Sequence, residues 1–213
     1  MRDVSACIAR TLSKSYSSLN ALLFKGQTMY LGKRSQMYNK EASFNIEELV
    51  SKPTVIEYNR IPNDLVKNTL TALILGKILK YFEQKAPLGD GRPKLSYIIV
   101  IENAHKLFME GANQTSLASN YLEDIIARLS YYGVGVIFST NQPSKLSKYV
   151  FGQSNIKLGH RLTTNNEIEA FSDGSFGIDA NLIKTLPYGK ALVCMSSLSQ
   201  PAHVEIVLPV TAK

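Results

Sequence analysis

Polar side chains follow two apolar runs of strand length in this sequence. Residues 96–101 lead to Glu102, and residues 134–138 lead to Asn141 and Gln142. A continuous apolar run is typical of a parallel strand that is covered on both faces, and α/β sheets bind ligands where such strands end. A carboxylate at that edge can hold hydrated Mg²⁺, and an amide can donate to a phosphate oxygen or orient a water. The pattern indicates a ligand site at one edge of a sheet.

Each of these residues also has a plainer structural interpretation. Glu102 could be a solvated carboxylate that ends its strand, and Asn103 could cap the turn that follows. Gln142 precedes a proline, which is common turn chemistry. We expect His105 to be a hydrogen-bonded structural residue, because no second metal-ligand residue type lies at a useful spacing. The residues alone leave these alternatives open.

Strands and helices alternate along the chain. Strand-length patterns occupy residues 54–58, 96–101, 134–138, 156–158, 190–195 and 203–207. Apolar residues recur at three- and four-residue steps over 62–82 and 117–129, which predicts two amphipathic helices. Thr164 and Glu167 predict a capping box for a short helix that runs through Phe171. The alternation predicts an α/β fold, with a mostly parallel sheet and helices on both faces.

The composition is that of a globular protein with basic character. The chain has 213 residues, of which 45% are hydrophobic and 19% are charged, and a formal net charge of +7 that favours anionic partners such as nucleic acid. Cys7 and Cys194 are far apart, without metal-ligand spacing, so neither a zinc site nor a disulfide framework is expected. Apolar runs are too short to cross a bilayer. We expect a cytoplasmic protein without membrane insertion.

Five segments occur in an order that resembles the HerA/FtsK-type translocase family, which includes the ATPases of conjugation and type IV secretion. They are a predicted strand ending near Glu57 with its long helix, Glu102-Asn-Ala-His105, Ser139-Thr-Asn-Gln-Pro-Ser-Lys-Leu146, His160-Arg-Leu-Thr163 and Leu186-Pro-Tyr-Gly-Lys-Ala191. The similarity covers roughly residues 45–209. It implies that residues 46–213 form the C-terminal part of a RecA-like P-loop NTPase core, after an irregular segment at residues 1–45.

The resemblance also implies roles for individual residues. In a complete core with ATP and Mg²⁺, Glu102 would hold the metal through a water, Gln142 would sense the γ-phosphate, and Asn103 would occupy the position of the family's catalytic glutamate. Arg128 and Arg161 are candidates for a finger that reaches a neighbouring subunit's nucleotide; a surface salt bridge is the alternative for each. The implied partners are DNA and further copies of the chain in a hexameric ring.

Departures from the family pattern set limits on this interpretation. The sequence contains no G-x-x-x-x-G-K-S/T phosphate loop, and residues 26–34 are a near miss with one spacer too many. An amide at Asn103 cannot accept a proton at neutral pH. We therefore do not expect this chain alone to hydrolyse ATP. The leading hypothesis is the C-terminal portion of a DNA translocase, and the alternative is an inactive paralogue that binds DNA or protein.

Overall fold

The computed structural model describes residues 45–85, 94–109, 117–175 and 177–207. The chain divides into two compact units, Met1–Pro53 and Thr54–Lys213. In the first unit, helix α1 (Ile46–Ser51) begins after Asn45, whose side chain accepts a hydrogen bond from the backbone N–H of Glu47 at 2.9 Å. This is the usual N-cap arrangement. The predicted irregular segment otherwise lies outside the described residues.

The second unit contains the alternating elements. They are α2 (Asp64–Lys85), β1 (Tyr97–Ile101), a 3-10 turn (Ala104–Lys106), α3 (Leu117–Ser130), β2 (Val134–Phe138), a 3-10 turn (Pro143–Lys145), α4 (Lys148–Gln153), β3 (Ile156–Gly159), α5 (Asn165–Asp173), α6 (Ala180–Lys184), β4 (Lys190–Met195) and β5 (Ala202–Glu205). The predicted α/β class is therefore confirmed. No helix within the described ranges is both long and apolar enough to span a bilayer.

Strands β1 and β2 form the parallel pair that the sequence predicts. They are in register from Tyr97 opposite Val134 to Ile101 opposite Phe138, so both strands end at the same edge. Helix α3 packs against α2 and β2. Gly133 has a positive φ of 73° in the turn between α3 and β2, a conformation that costs glycine little. The connection therefore returns the chain directly to the start of the second strand.

The later strands pair differently from the mostly parallel arrangement that the alternation of elements suggests. Strands β3, β4 and β5 form an antiparallel sheet in that order. The connection from β4 to β5 spans only residues 196–201, which suits an antiparallel pair, whereas a parallel crossover needs a dozen or more residues. A buried cluster lies beside this sheet and is formed by Ile168, Phe171, Ile183, Leu186 and Leu192.

The strand predicted at residues 54–58 is wrong. These residues have no regular secondary structure, and Val55 is 85% exposed. Strand propensity measures how well a side chain packs against neighbouring strands. In the part of the chain that the structure describes, residues 54–58 are not paired into a sheet, so their β-branched composition does not produce a strand.

Candidate functional site

The ends of β1 and β2 bring two segments together, which we name the edge turn (residues 102–108) and the edge loop (residues 139–147). The backbone N–H of Ser139 donates to the carbonyl of Ile101 at 2.9 Å, and the N–H of Ala104 donates to the carbonyl of Ser139 at 3.0 Å. Glu102 is exposed at the start of the edge turn, and Gln142 is half-buried in the edge loop. The two predicted residues thus belong to adjacent segments at one edge.

Asn103 gives the edge turn its sharp change of direction. With φ 51° and ψ 43°, it is the one residue other than glycine that has a positive φ in the described part of the chain. Asparagine tolerates this left-handed conformation better than most residues. Its carbonyl accepts from the N–H of Lys106 at 2.9 Å, while its side chain makes no capping bond. Asn103 therefore caps the turn through its backbone and leaves its amide exposed.

A chain of hydrogen bonds joins the edge turn to the edge loop. His105 is 6% exposed, and its Nδ1 lies 2.8 Å from Oγ1 of Thr140. The same Oγ1 accepts from the backbone N–H of Gln142 at 3.0 Å. A neutral imidazole with its proton on Nε2 accepts the Thr140 hydroxyl proton and leaves an oxygen lone pair for Gln142. His105 is thus a hydrogen-bonded structural residue, as expected, and its partner helps to position Gln142.

The surroundings of His105 favour this neutral form. Burial lowers the pKa of its imidazole, the charges of Lys106 and Lys145 lower it further, and Glu167 opposes them. Burial acts in this direction because it disfavours the charged imidazolium. The edge turn therefore keeps an uncharged acceptor for Thr140 at neutral pH.

This lowered pKa predicts a pH dependence of stability. Because folding lowers the pKa of His105, the unfolded chain takes up a proton first as pH falls below about 6.5, the ordinary histidine value. The free energy of unfolding should therefore fall between pH 7.5 and 5.5, and less so in His105→Asn. Urea denaturation at both pH values measures the change. The exposed His160 supplies the control: a smaller pH dependence in His160→Asn than in His105→Asn would contradict the assignment.

Glu167 holds the edge loop from helix α5. Its carboxylate accepts two hydrogen bonds from Ser144, one from the backbone N–H at 2.8 Å and one from the hydroxyl at 2.7 Å. The capping box predicted between Thr164 and Glu167 is therefore wrong. Helix α5 begins after Thr164 as expected, but the Thr164 side chain makes no capping bond. The glutamate carboxylate is engaged by two donors on a different element of the chain.

Ser147 anchors the other end of the edge loop. Its N–H donates to the carbonyl of Phe108 at 2.8 Å, and its hydroxyl donates to a carboxylate oxygen of Glu123 at 2.7 Å. The edge loop is thus bonded to β1, to the edge turn, to α3 and to α5. Within the described ranges, the side-chain amides of Asn141 and Gln142 make no hydrogen bond. The edge loop therefore has an anchored backbone and two side-chain amides without a hydrogen bond to any described residue.

The two predicted arginines occupy different environments. Arg128 forms ion pairs with Glu83 on α2 and, at 3.6 Å, with Asp124 on its own helix. It lies in the last turn of α3, which leads to the start of β2, so the structure does not bring it to the edge where Glu102 lies. Arg161 is exposed in the connection from β3 to α5 and has no ion pair or hydrogen bond with any described residue.

The one carboxylate in the edge turn, that of Glu102, suits a metal that keeps most of its water ligands. The described residues contain no group of three or more His, Cys, Asp or Glu side chains that could enclose a metal ion. Mg²⁺ is commonly bound through one or two carboxylates together with waters and substrate phosphates. The single exposed carboxylate of Glu102 fits that mode of binding. The near-miss phosphate loop at residues 26–34 lies outside the described residues.

Sequence reasoning missed the residues that support the edge loop. Thr140 and Ser144 are both bonded by partners more than twenty positions away, and the same holds for Ser147. The available signal was the density of hydroxyl residues in the segment that also contains Gln142. Such residues can bond locally or to distant elements, so the signal identifies the segment and not its partners.

Solved structures share this fold, while no protein-family model and no curated protein matches the sequence. The genome packaging NTPase B204 of Sulfolobus turreted icosahedral virus 2, in complex with ATP-gammaS, is 19% identical with a TM-score of 0.55 over 78% of this chain and 73% of that one. B204 of Sulfolobus turreted icosahedral virus, described as a DNA-packaging ATPase, is 18% identical with a TM-score of 0.53 over 84% and 78%.

VirB4 of Thermoanaerobacter pseudethanolicus is 17% identical with a TM-score of 0.60. The match covers 98% of this chain and 54% of that one, so this chain corresponds to about half of VirB4. Identities this low establish the fold and nothing finer. The chain therefore has the α/β fold of P-loop ATPases, with the parallel pair β1 and β2 as the part that defines the candidate edge.

Proposed function

We propose that this chain supplies the carboxyl-edge half of a nucleotide site in a translocase-type ATPase of the HerA/FtsK kind. The observation that carries the proposal is the register of β1 and β2, because it ends both strands together and sets Glu102 beside the edge loop. Two of the proteins with this fold are described as genome- or DNA-packaging enzymes, and one was solved with an ATP analogue. Those descriptions support a nucleotide as the ligand.

The proposal gives each edge residue a role that its chemistry allows. Glu102 would hold Mg²⁺ through a bound water, and the metal would neutralise phosphate charge. Gln142 would donate from its free side-chain amide to a terminal phosphate oxygen. Thr140 and His105 would keep the backbone of Gln142 in place through the bonds described above. These roles require a nucleotide whose phosphates lie outside the carboxyl ends of β1 and β2.

The finger role is better suited to Arg161 than to Arg128. A guanidinium that reaches a neighbouring nucleotide must be free to leave its own subunit, and Arg128 is already paired with Glu83 and Asp124. Arg161 is exposed and free of described partners.

We propose that copies of the chain assemble as a hexameric ring in the cytoplasm. We also propose that the net charge of +7 favours DNA as the cargo of this ring.

A second candidate function is a non-catalytic subunit that retains the fold to bind DNA or protein. Asn103 favours it, because an amide cannot act as a general base and because its left-handed backbone suits asparagine. The lack of a G-x-x-x-x-G-K-S/T motif in the sequence points the same way. DNA or protein binding that is unchanged by ATP-gammaS would favour this candidate, whereas DNA binding that depends on the nucleotide would favour the motor.

The test is an NMR titration of the chain with Mg²⁺ and ATP-gammaS. We expect amide shifts in the edge turn and the edge loop, because the phosphates would lie against both. Glu102→Gln and Gln142→Ala should each weaken binding by roughly tenfold, the effect of losing one hydrogen bond to a charged group. Glu169→Gln, at an exposed carboxylate on α5, is the matched control. Shifts confined to other surfaces, or no shifts at about 10 mM nucleotide, would refute the proposal.

A further inference from the structure

We propose that Glu167 is a positioning residue that makes the edge loop and the Arg161 segment (residues 160–164) move as one unit. Nucleotide contact at Gln142 would then be transmitted to the arginine that a neighbouring subunit meets. The part of this inference that concerns nucleotide rests on the proposed function. The mechanical link itself is a property of the chain without ligand and can be tested separately.

The link begins at the two bonds from Ser144 to Glu167. Both donors belong to one residue and both oxygens of one carboxylate accept, at 2.8 Å and 2.7 Å. Hydrogen bonds to an ionised group are shorter and stronger than neutral ones, and a two-point contact also restricts rotation. Helix α5 packs against the 3-10 turn that contains Ser144. The edge loop therefore cannot shift without moving α5 or breaking both bonds.

On the side of the edge loop, Gln142 lies two positions before Ser144. Its N–H is bonded to the hydroxyl of Thr140, and its carbonyl accepts from the N–H of Lys145 at 3.1 Å. The charge of Glu167 also raises the pKa of His105, against the effect of burial, so it acts on the edge turn as well. A displacement of Gln142 should therefore also displace Ser144, the residue whose N–H and hydroxyl bond to Glu167.

On the side of α5, the first helical turn is joined to the Arg161 segment. The carbonyl of Thr164 accepts from the N–H groups of Glu167 and Ile168 at 3.1 Å and 3.0 Å. Leu162, the neighbour of Arg161, packs against the buried cluster that contains Ile168. The backbone next to Arg161 is thus anchored to the same helix as Glu167. Packed and hydrogen-bonded contacts of this kind form a contiguous route for coupling.

A ligand-free mutant cycle tests the link. Thr140→Val removes the hydroxyl that positions Gln142. The readout is hydrogen exchange of the Glu167 and Ile168 amides, which donate to the carbonyl of Thr164 at the end of the Arg161 segment. We expect Thr140→Val to speed this exchange by roughly fivefold, the value of about one hydrogen bond. It should have little effect in a Glu167→Ala background. Thr140→Ser, which keeps the hydroxyl, should rescue slow exchange, a result that loss of packing alone does not predict.

The exposed Glu169 on the same helix supplies the matched background, and Glu169→Ala should leave the transmission intact. If Glu167→Ala does not fold, Glu167→Gln serves instead, because it keeps a neutral acceptor but loses the charge and one acceptor oxygen. The inference is overturned if Thr140→Val speeds amide exchange in the Glu167→Ala background, or speeds it as much in Glu167→Gln as in the wild type.

A second arm adds Mg²⁺ and ATP-gammaS. In the wild-type chain we expect slower exchange in both the edge loop and the Arg161 segment, and in Glu167→Ala slower exchange in the edge loop alone. If the nucleotide changes nothing in any variant while the ligand-free cycle holds, the proposed function fails and the link stands. If both segments respond to nucleotide in Glu167→Ala as in the wild type, the link is refuted and the nucleotide site stands.

Discussion

Replacing Phe108 by alanine is expected to lower the free energy of unfolding by about 3–5 kcal/mol, the usual cost of removing a fully buried aromatic ring. Phe108 is 0% exposed and makes an edge-to-face contact with Phe138 at a ring-centroid distance of 5.4 Å. Phe138 is the last residue of β2, so this ring pair packs directly beneath the candidate edge. The substitution would leave a cavity where the edge turn and edge loop meet.

Urea denaturation of Phe108→Ala measures this loss, and Tyr188→Ala is the control. Tyr188 is 98% exposed, so its removal should change stability by no more than about 0.5 kcal/mol. The amide of Ser147, which donates to the carbonyl of Phe108, should also exchange faster in Phe108→Ala. A decrease in the free energy of unfolding of less than about 1 kcal/mol would contradict the tight packing of the Phe108 ring against Phe138.

Replacing Gly159 by alanine is expected to destabilise the protein by about 1–3 kcal/mol, the range for an overpacked core. Gly159 ends β3 and faces the buried cluster. A Cβ added there would lie 2.5 Å from a ring carbon of Phe171 and 2.6 Å from Cδ1 of Ile183. Both side chains belong to the cluster, so neither can move away without displacing others.

Gly152 in α4 provides a control with the opposite sign. A Cβ at Gly152 would meet nothing within 4 Å, and alanine is a better helix former than glycine by up to about 1 kcal/mol. Gly152→Ala should therefore stabilise the protein slightly while Gly159→Ala destabilises it. Thermal or urea denaturation of the pair checks the signs. Equal effects at the two positions would show that β3 does not face the cluster as closely as the contacts indicate.

The two substitutions weaken different supports of the candidate site. The position of the edge loop depends on Phe108 below it and on the carboxylates of Glu167 and Glu123 at its sides. If the edge binds a nucleotide as proposed, weakening the support at Phe108 should reduce that binding even though this residue would touch no phosphate. Gly159→Ala acts on the cluster that anchors Leu162, so it should loosen the Arg161 segment before the edge loop.

Local patterns predicted the elements that carry the site. Helices α2 and α3 and strands β1 and β2 appear where periodicity and apolar runs placed them, because amphipathic spacing and buried runs are properties of neighbouring residues. The same local reasoning failed at residues 54–58, where no strand forms, and at Thr164, where no side-chain cap forms. Both failures have the same reason: whether a strand or a cap forms depends on contacts with residues that are distant in the sequence.

By itself, the sequence determined that Glu102 and Gln142 follow strands, since the length and polarity of those runs are local. Only the tertiary structure decided that the two strands end in register, that Glu167 bonds to Ser144 and that Arg128 is occupied by Glu83. Contacts between distant residues depend on how whole elements pack, and a carboxylate bonds to whichever donors that packing presents. The local chemistry could therefore be predicted from the residues, whereas their partners became visible only in the folded chain.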